Sequence, residues 1–402
     1  MNTKTNFAWP VTAINATIHK HLIDKTESIK GLLEGKKIII FGAGIRGCFL
    51  LHILEQFGFS NIAFCDSNSE KHGQLINRYD IVSLDKALQL YSPKIFLVSP
   101  ENSGSMNQQL IAAGLTEGID WISFDISLYD TYVEDYLRPA TDHMLVFGDC
   151  AFSHVSLADA VTDSLGKMMK SQFGEDRCKI LAMHGIGQQA DYHILRALLD
   201  SGEKPLLLLL LVMEVLTPKA HLMPRTQHPA LIKKLVDVTE NPRDDFREYA
   251  KIAEERFNRF QVESFASFNA NDNEQNEKLF MKMNYLFKIR EETEGVVFLK
   301  NTIRMLNDAG IPIVLYIPPV NYMQGEKFFG AGFKDRYMDN FAKLYGFLNS
   351  ERLEYNVADA SFLLTDSEFA AANTIDETSN YEGRKKLLKF IEENRQVKRL
   401  FG

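Results

Sequence analysis

Cysteine is scarce. The four residues Cys48, Cys65, Cys150 and Cys178 are scattered through 402 positions with no Cys-x-x-Cys pair. That spacing argues against a disulfide framework and against a structural zinc site. Long hydrophobic runs are also missing. The longest, Leu206–Met213, is closed by Glu214; it is too short to cross a bilayer and suits a buried strand. The N-terminal stretch has no apolar segment followed by a small-residue cleavage site, so no signal peptide is read. A basic excess is absent too: 45 Lys and Arg face 53 Asp and Glu, for a net charge of −8. A nucleic-acid binder carries a basic face, and nothing in this balance supplies one. The 12 Pro and 24 Gly show no low-complexity bias. These absences describe an expected cytoplasmic protein with reduced thiols, no membrane span and no nucleic-acid partner.

What is present is ordinary globular composition, 45% hydrophobic and 24% charged. The length corresponds to two or three domains. Residues 1–35 read as a helical segment, with Ile14, Ile18, Leu22, Ile29 and Leu32 at helical spacing. Short apolar runs then alternate with helical patterns across 36–127. A connector over 128–142 follows, and a second alternation occupies 140–402. The second region is expected to carry a helix over 156–173 and a charged, mostly helical excursion over 229–308. Alternation of this kind builds parallel sheets covered by helices. The expected fold is therefore two doubly wound α/β domains, a small Rossmann-like one and a larger flavodoxin-like sheet with a helical insertion.

Gly42-x-Gly44-x-x-Gly47 joins the first apolar run to a helical pattern, and Asp66 ends the next run. The first glycine permits a tight turn, the second lets a phosphate approach the backbone, and the third lets helix and strand pack closely. The helix N-terminus would supply N–H groups, and Asp66 would meet a ribose diol. Two readings stand: a nucleotide or nucleotide-sugar site, or glycines that serve packing alone. An NAD(P)-linked enzyme ranks behind both, because the region is short and no Tyr-x-x-x-Lys pair follows. Beyond Asp66-Ser67-Asn68 come Gly73 and Ile76. This stretch resembles the small Rossmann-like front domain of bacillosamine-type sugar acyltransferases, which implies nucleotide-sugar binding. Arg78 and Asp80 depart from the family's glycine and proline.

Gly148-Asp149-Cys150 follows an apolar run and precedes a helical pattern. Isoleucine-rich 310–321 ends in Pro-Pro-Val-Asn, and residues 372–387 introduce the last helix. In order and context these blocks resemble the SGNH (GDSL-like) hydrolases. The resemblance implies Cys150 in the nucleophile's place, Gly185 or Gly187 as an oxyanion amide, and Asp376 as the orienting acid. Counting back from Asn380 and Gly383 puts Thr378 where the family has histidine. No asparagine closes Val212-Met213-Glu214, where the family has its third oxyanion donor. A base would have to come from His154, His184 or His193. Cys150 reads in three ways: a nucleophile activated by the helix after it, a small buried hydrophobe, or a wall of a ligand pocket. The function expected from the resemblance is transfer or hydrolysis of an acyl group on a carbohydrate. The alternative is a binding or regulatory protein on an inactivated hydrolase sheet.

Other features carry blander readings. His184, His193, His221 and His228 are solvated loop residues or a metal or phosphate site, and their spacing does not favour the metal. Asp191 and Tyr192 are candidate polar contacts at the same strand end. The charged 233–260 segment reads as a partner-binding face or as the solvated side of an amphipathic helix, the commoner case, and Phe-rich 328–333 as a pocket mouth or, ahead of that, core cover.

Overall fold

The computed structural model describes residues 13–100, 103–213, 216, 227–260, 273–370 and 378–402. Its contacts divide the chain into two compact units, Met1–Leu128 and Tyr129–Gly402. Both are α/β.

In the first unit one sheet holds β1 (Lys37–Phe41), β2 (Ile62–Cys65), β3 (Leu75–Ile76), β4 (Tyr79–Val82), β5 (Lys94–Val98) and β6 (Trp121–Ser123). They lie in the order β3-β4-β2-β1-β5-β6. All neighbours are parallel except the β3–β4 hairpin. Ile38 to Phe41 and Ile95 to Val98 are at most 1% exposed. Strands covered on both faces read as unbroken apolar runs, which is why these were legible. Arg78 sits in the hairpin and pairs with Glu55 at 3.0 Å. Asn15 caps the helix Ala16–Ser28 by accepting from the Thr17 N–H at 2.9 Å. That helix and the short Lys30–Leu33 turn fill the expected helical segment from residue 16 on; Ala13–Asn15, with Ile14, is a strand instead, and residues 1–12 lie outside the described set.

The second unit holds β7 (Met144–Gly148), β8 (Cys178–Ala182), β9 (Leu207–Leu211), β10 (Ile313–Ile317) and β11 (Asn356–Asp359). Their order is β8-β7-β9-β10-β11, parallel throughout. This is the 2-1-3-4-5 order of the flavodoxin-like class, in which ligands sit beyond the carboxyl ends of the first and third strands. Val146, Leu209 and Tyr316 form one core with residues of the helices Leu165–Phe173 and Tyr381–Glu393. The helices Gln188–Asp200 and Glu294–Ala309 pack on each other. Between β9 and β10 the helices Pro229–Val238, Asp244–Phe260 and Asn273–Asn284 make up the insertion. Among the described residues no helix is long and apolar enough to cross a membrane.

Two expectations are corrected. The connector begins as a helix, Leu128–Leu137. Leu128, Tyr132 and Tyr136 recur every fourth residue and are at most 8% exposed, so one stripe is buried. The helix expected over 156–173 starts only at Leu165, capped by Ser164. The Arg384 guanidinium takes the carbonyls of Val161 and Asp163, at 3.0 and 2.9 Å, and holds the preceding residues as an irregular loop. Phe333 is fully buried and stacks on Tyr337, as core cover would.

Candidate functional site

Each unit has its own corner at the carboxyl end of a central strand. In the first, β1 has β2 on one side and β5 on the other, so the order reverses beside the glycine turn. Gly42 has φ 113°, and a Cβ there would lie 2.8 Å from Pro100 Cγ. At Gly47 a Cβ would come within 2.1 Å of the Gly42 carbonyl oxygen, so the third glycine closes helix against strand. A Cβ on Gly44 would meet nothing within 4 Å. Gly44 also begins the helix Ile45–Gln56 without any side-chain cap. The second glycine thus faces the open side of the turn, where a phosphate would approach.

Asp66 is brought to the same corner, 7% exposed. Its Oδ2 accepts from the Ala43 N–H at 2.7 Å and from Lys71 Nζ at 2.9 Å. Oδ1 accepts from the Asn68 N–H at 2.9 Å. The carboxylate therefore staples the turn to the end of β2, and a ribose diol would compete with Lys71 for it. Gly47→Ala is expected to cost about 3 kcal/mol or more, since the added carbon meets backbone that cannot move freely. Gly44→Ala should cost less than about 1 kcal/mol. Thermal denaturation of the two variants checks the contrast.

In the second unit Gly148 ends β7, and a Cβ there would strike the Phe152 ring at 2.3 Å. Asp149 is 1% exposed and its Oδ1 accepts from the Ala151 N–H at 2.9 Å. Cys150 opens a single turn, Cys150–Ser153. The long helix expected to follow it is absent at this point, so Cys150 does not open a long helix. Cys150 is nevertheless the one cysteine of the four that is not buried. Burial pushes the Cys48 thiol up to about 11, and those of Cys65 and Cys178 to about 12.

After β8, Gly185 adopts φ 66° within a turn closed by Ile186 N–H to the Met183 carbonyl at 3.2 Å. The positive φ alone calls for glycine there. Gly187 then precedes the helix Gln188–Asp200, whose first turn carries Gln188 and Asp191. Gln188 Nε2 donates to the Leu211 carbonyl at 3.0 Å, reaching from the end of β8 to the end of β9. The same amide lies 3.4 Å from Asp191 Oδ2. Asp191 is 4% exposed, and among the described residues its Oδ1 has no hydrogen-bond partner. Burial, with the Asp149 carboxyl nearby, drives Asp191 well above the usual carboxylate range. The Tyr132 hydroxyl is also buried and without a partner among the described residues, and burial, with the Asp191 charge nearby, raises it. Met213, just past β9, holds φ 89°, a conformation that bulky side chains resist. Strain of that kind concentrates at ligand-handling corners.

The histidines divide. His193 stacks on Tyr249 at 4.8 Å between ring centroids, and burial lowers it to about 4. His228 donates from Nε2 to the His184 carbonyl at 2.8 Å and accepts at Nδ1 from Tyr129 at 3.1 Å. Burial brings it to about 4 as well. Both are neutral packing residues near pH 7. The His184 ring meets His228 edge-to-face at 4.9 Å, and His154 follows the Cys150 turn directly. Tyr192 is set apart from Asp191, its hydroxyl accepting from Arg196 at 2.7 Å. His221, Glu214 and Asp376 lie outside the described residues. Among the described residues no group of three or more His, Cys, Asp or Glu could hold a metal ion.

Thr378 is 1% exposed, and its carbonyl accepts from the Ala370 N–H at 2.8 Å. The Asn380–Gly383 pair is a helix cap: Asn380 Oδ1 accepts from the Gly383 N–H at 3.0 Å, and its amide donates to the Ser367 carbonyl at 2.7 Å. Sequence reasoning missed Gln188 and Tyr132. Their part depends on neighbours distant in the chain, and no local pattern marks them. A scan against protein-family models gives no match for this chain, and a search of curated proteins gives none.

Proposed function

We propose that the chain acts on an acyl group carried by a carbohydrate, with Cys150 as the thiol nucleophile and the glycine turn of the first unit gripping a nucleotide-sugar. The observation that carries this reading is the position of the only unburied thiol, at the carboxyl end of β7, where the strand order of the sheet reverses. In the proposed step the Cys150 Sγ attacks the acyl carbon and the C–O bond to the sugar breaks. The thiol proton passes to a base and returns to the sugar oxygen; a thioester remains on Cys150. His154 is the base on this reading, and the Cys150 and Gly185 amides are oxyanion donors. Water or a second hydroxyl then takes the acyl group. Incubation with an acetylated hexose and with para-nitrophenyl acetate, followed by intact-mass spectrometry, tests it. An acetyl adduct is expected on the wild type and should vanish in Cys150→Ala. Unchanged turnover in that variant would remove the thiol from the mechanism.

A second reading is a binding protein without turnover. The burial of His193 and His228 favours it, because rings lowered to about 4 are weak bases toward a thiol. On this reading a nucleotide-sugar at 100 times its Kd raises stability by about 2.7 kcal/mol with no acyl adduct.

A further inference from the structure

The carboxyl ends of β7, β8 and β9 enclose polar groups that the described residues leave unsatisfied. Among the described residues Asp191 Oδ1, Gln188 Oε1 and the Tyr132 hydroxyl have no hydrogen-bond partner, and each residue is at most 4% exposed. Buried polar atoms in a folded protein are almost always paired, so a cluster of exceptions points to an occupant. Gln188 locates the cluster, since its amide spans from the β8 end to the Leu211 carbonyl of β9. β7 lies between those strands, and Asp149-Cys150 continues directly from it. We propose that Asp191 is a neutral carboxylic acid whose Oδ1 hydroxyl donates a hydrogen bond to the carbonyl oxygen of an acyl ligand at the Cys150 corner.

This inference rests on the acyl-transfer reading and deepens it. A carbonyl oxygen becomes more negative as the thiolate adds, and a donor fixed in a dry site stabilises that charge. A carboxyl group kept protonated by an apolar site performs this task in known chemistry. Here burial, and then the nearby Asp149 carboxyl, raise Asp191, while Asp149 accepts from the Ala151 N–H. The remaining groups around Asp191 leave its proton in place. Tyr132 from helix Leu128–Leu137 and Tyr249 from helix Asp244–Phe260 face it as neutral phenols raised by burial. His193, on its own helix, is neutral. Arg256 and Glu294 act on Tyr249 with opposite signs. The acid thus stands in for the asparagine that the segment after β9 lacks.

The test has two arms on the full chain. In protein labelled with ¹³C-aspartate, infrared spectroscopy at pH 7 should show a protonated carboxyl band that is lost in Asp191→Asn. No such band would overturn the neutral acid. The second arm follows para-nitrophenyl acetate turnover across pH. Asp191→Ala should lose about 100-fold, while Asp191→Asn, which keeps an N–H donor, should stay within about tenfold. Wild-type turnover should fall at alkaline pH as Asp191 ionises, and the Asn variant should lose that limb. Equal rates for the Ala variant and wild type would overturn the donor role. A band present with no turnover of the probe by the wild type would overturn the acyl reading, and with it the donor role, while leaving the protonation of Asp191 standing.

Discussion

Arg384→Leu is expected to destabilise the second unit by about 3–5 kcal/mol, the range for stripping one partner from a buried charge network. The Arg384 side chain is fully buried on the last long helix. Its guanidinium binds Asp159 Oδ2 at 2.8 Å and the carbonyls of Ser379, Val161 and Asp163 at 2.7, 3.0 and 2.9 Å. Loss of the fork leaves a partly buried carboxylate and three carbonyls without donors, while leucine returns only apolar contact. Arg384→Lys should recover little, because an ammonium cannot span four acceptors held in a planar fan. Urea denaturation followed by circular dichroism measures both. A loss below about 1 kcal/mol for the leucine variant would mean that the loop before Leu165 is held by something else.

Asp191→Asn is expected to act in the opposite direction near neutral pH and to raise stability. The folded chain keeps the Asp191 proton that the unfolded chain gives up above a pH of about 4. The folded state then binds more protons than the unfolded one, so stability falls as pH rises, by about 1.4 kcal/mol per unit for this group. The fall continues until the pH passes the raised value of the folded acid. Asparagine has nothing to ionise, so the variant loses that slope. The stability difference between variant and wild type should widen by about 1.4 kcal/mol for each unit between pH 5 and pH 7. Urea titrations at three pH values give the result. Parallel curves, with the variant weaker throughout, would show that Asp191 is ionised in the folded chain.

Much of the framework was legible because its strands are apolar on both sides. Leu207–Leu211 and Lys37–Phe41 need no partner to be recognised, and Asn380 and Gly47 act on neighbours close in sequence. The Asn-x-x-Gly pattern was readable but ambiguous, since capping the helix Tyr381–Glu393 accounts for it. The loop ahead of Leu165 was misread as helix because the residue that claims its carbonyls, Arg384, is more than two hundred positions away.

The amino-acid order by itself determined two α/β units and the glycine turn, and it put Cys150 at the end of an apolar strand, since apolar periodicity and turn chemistry are local properties of a chain. Only the tertiary structure decided that Asp66 would be spent on Ala43 and Lys71, that His193 and His228 would be packed as neutral rings, and that Asp191 would be buried within the field of Asp149. Those outcomes depend on burial and on charge at a distance, and both quantities exist only once strands remote in sequence lie side by side.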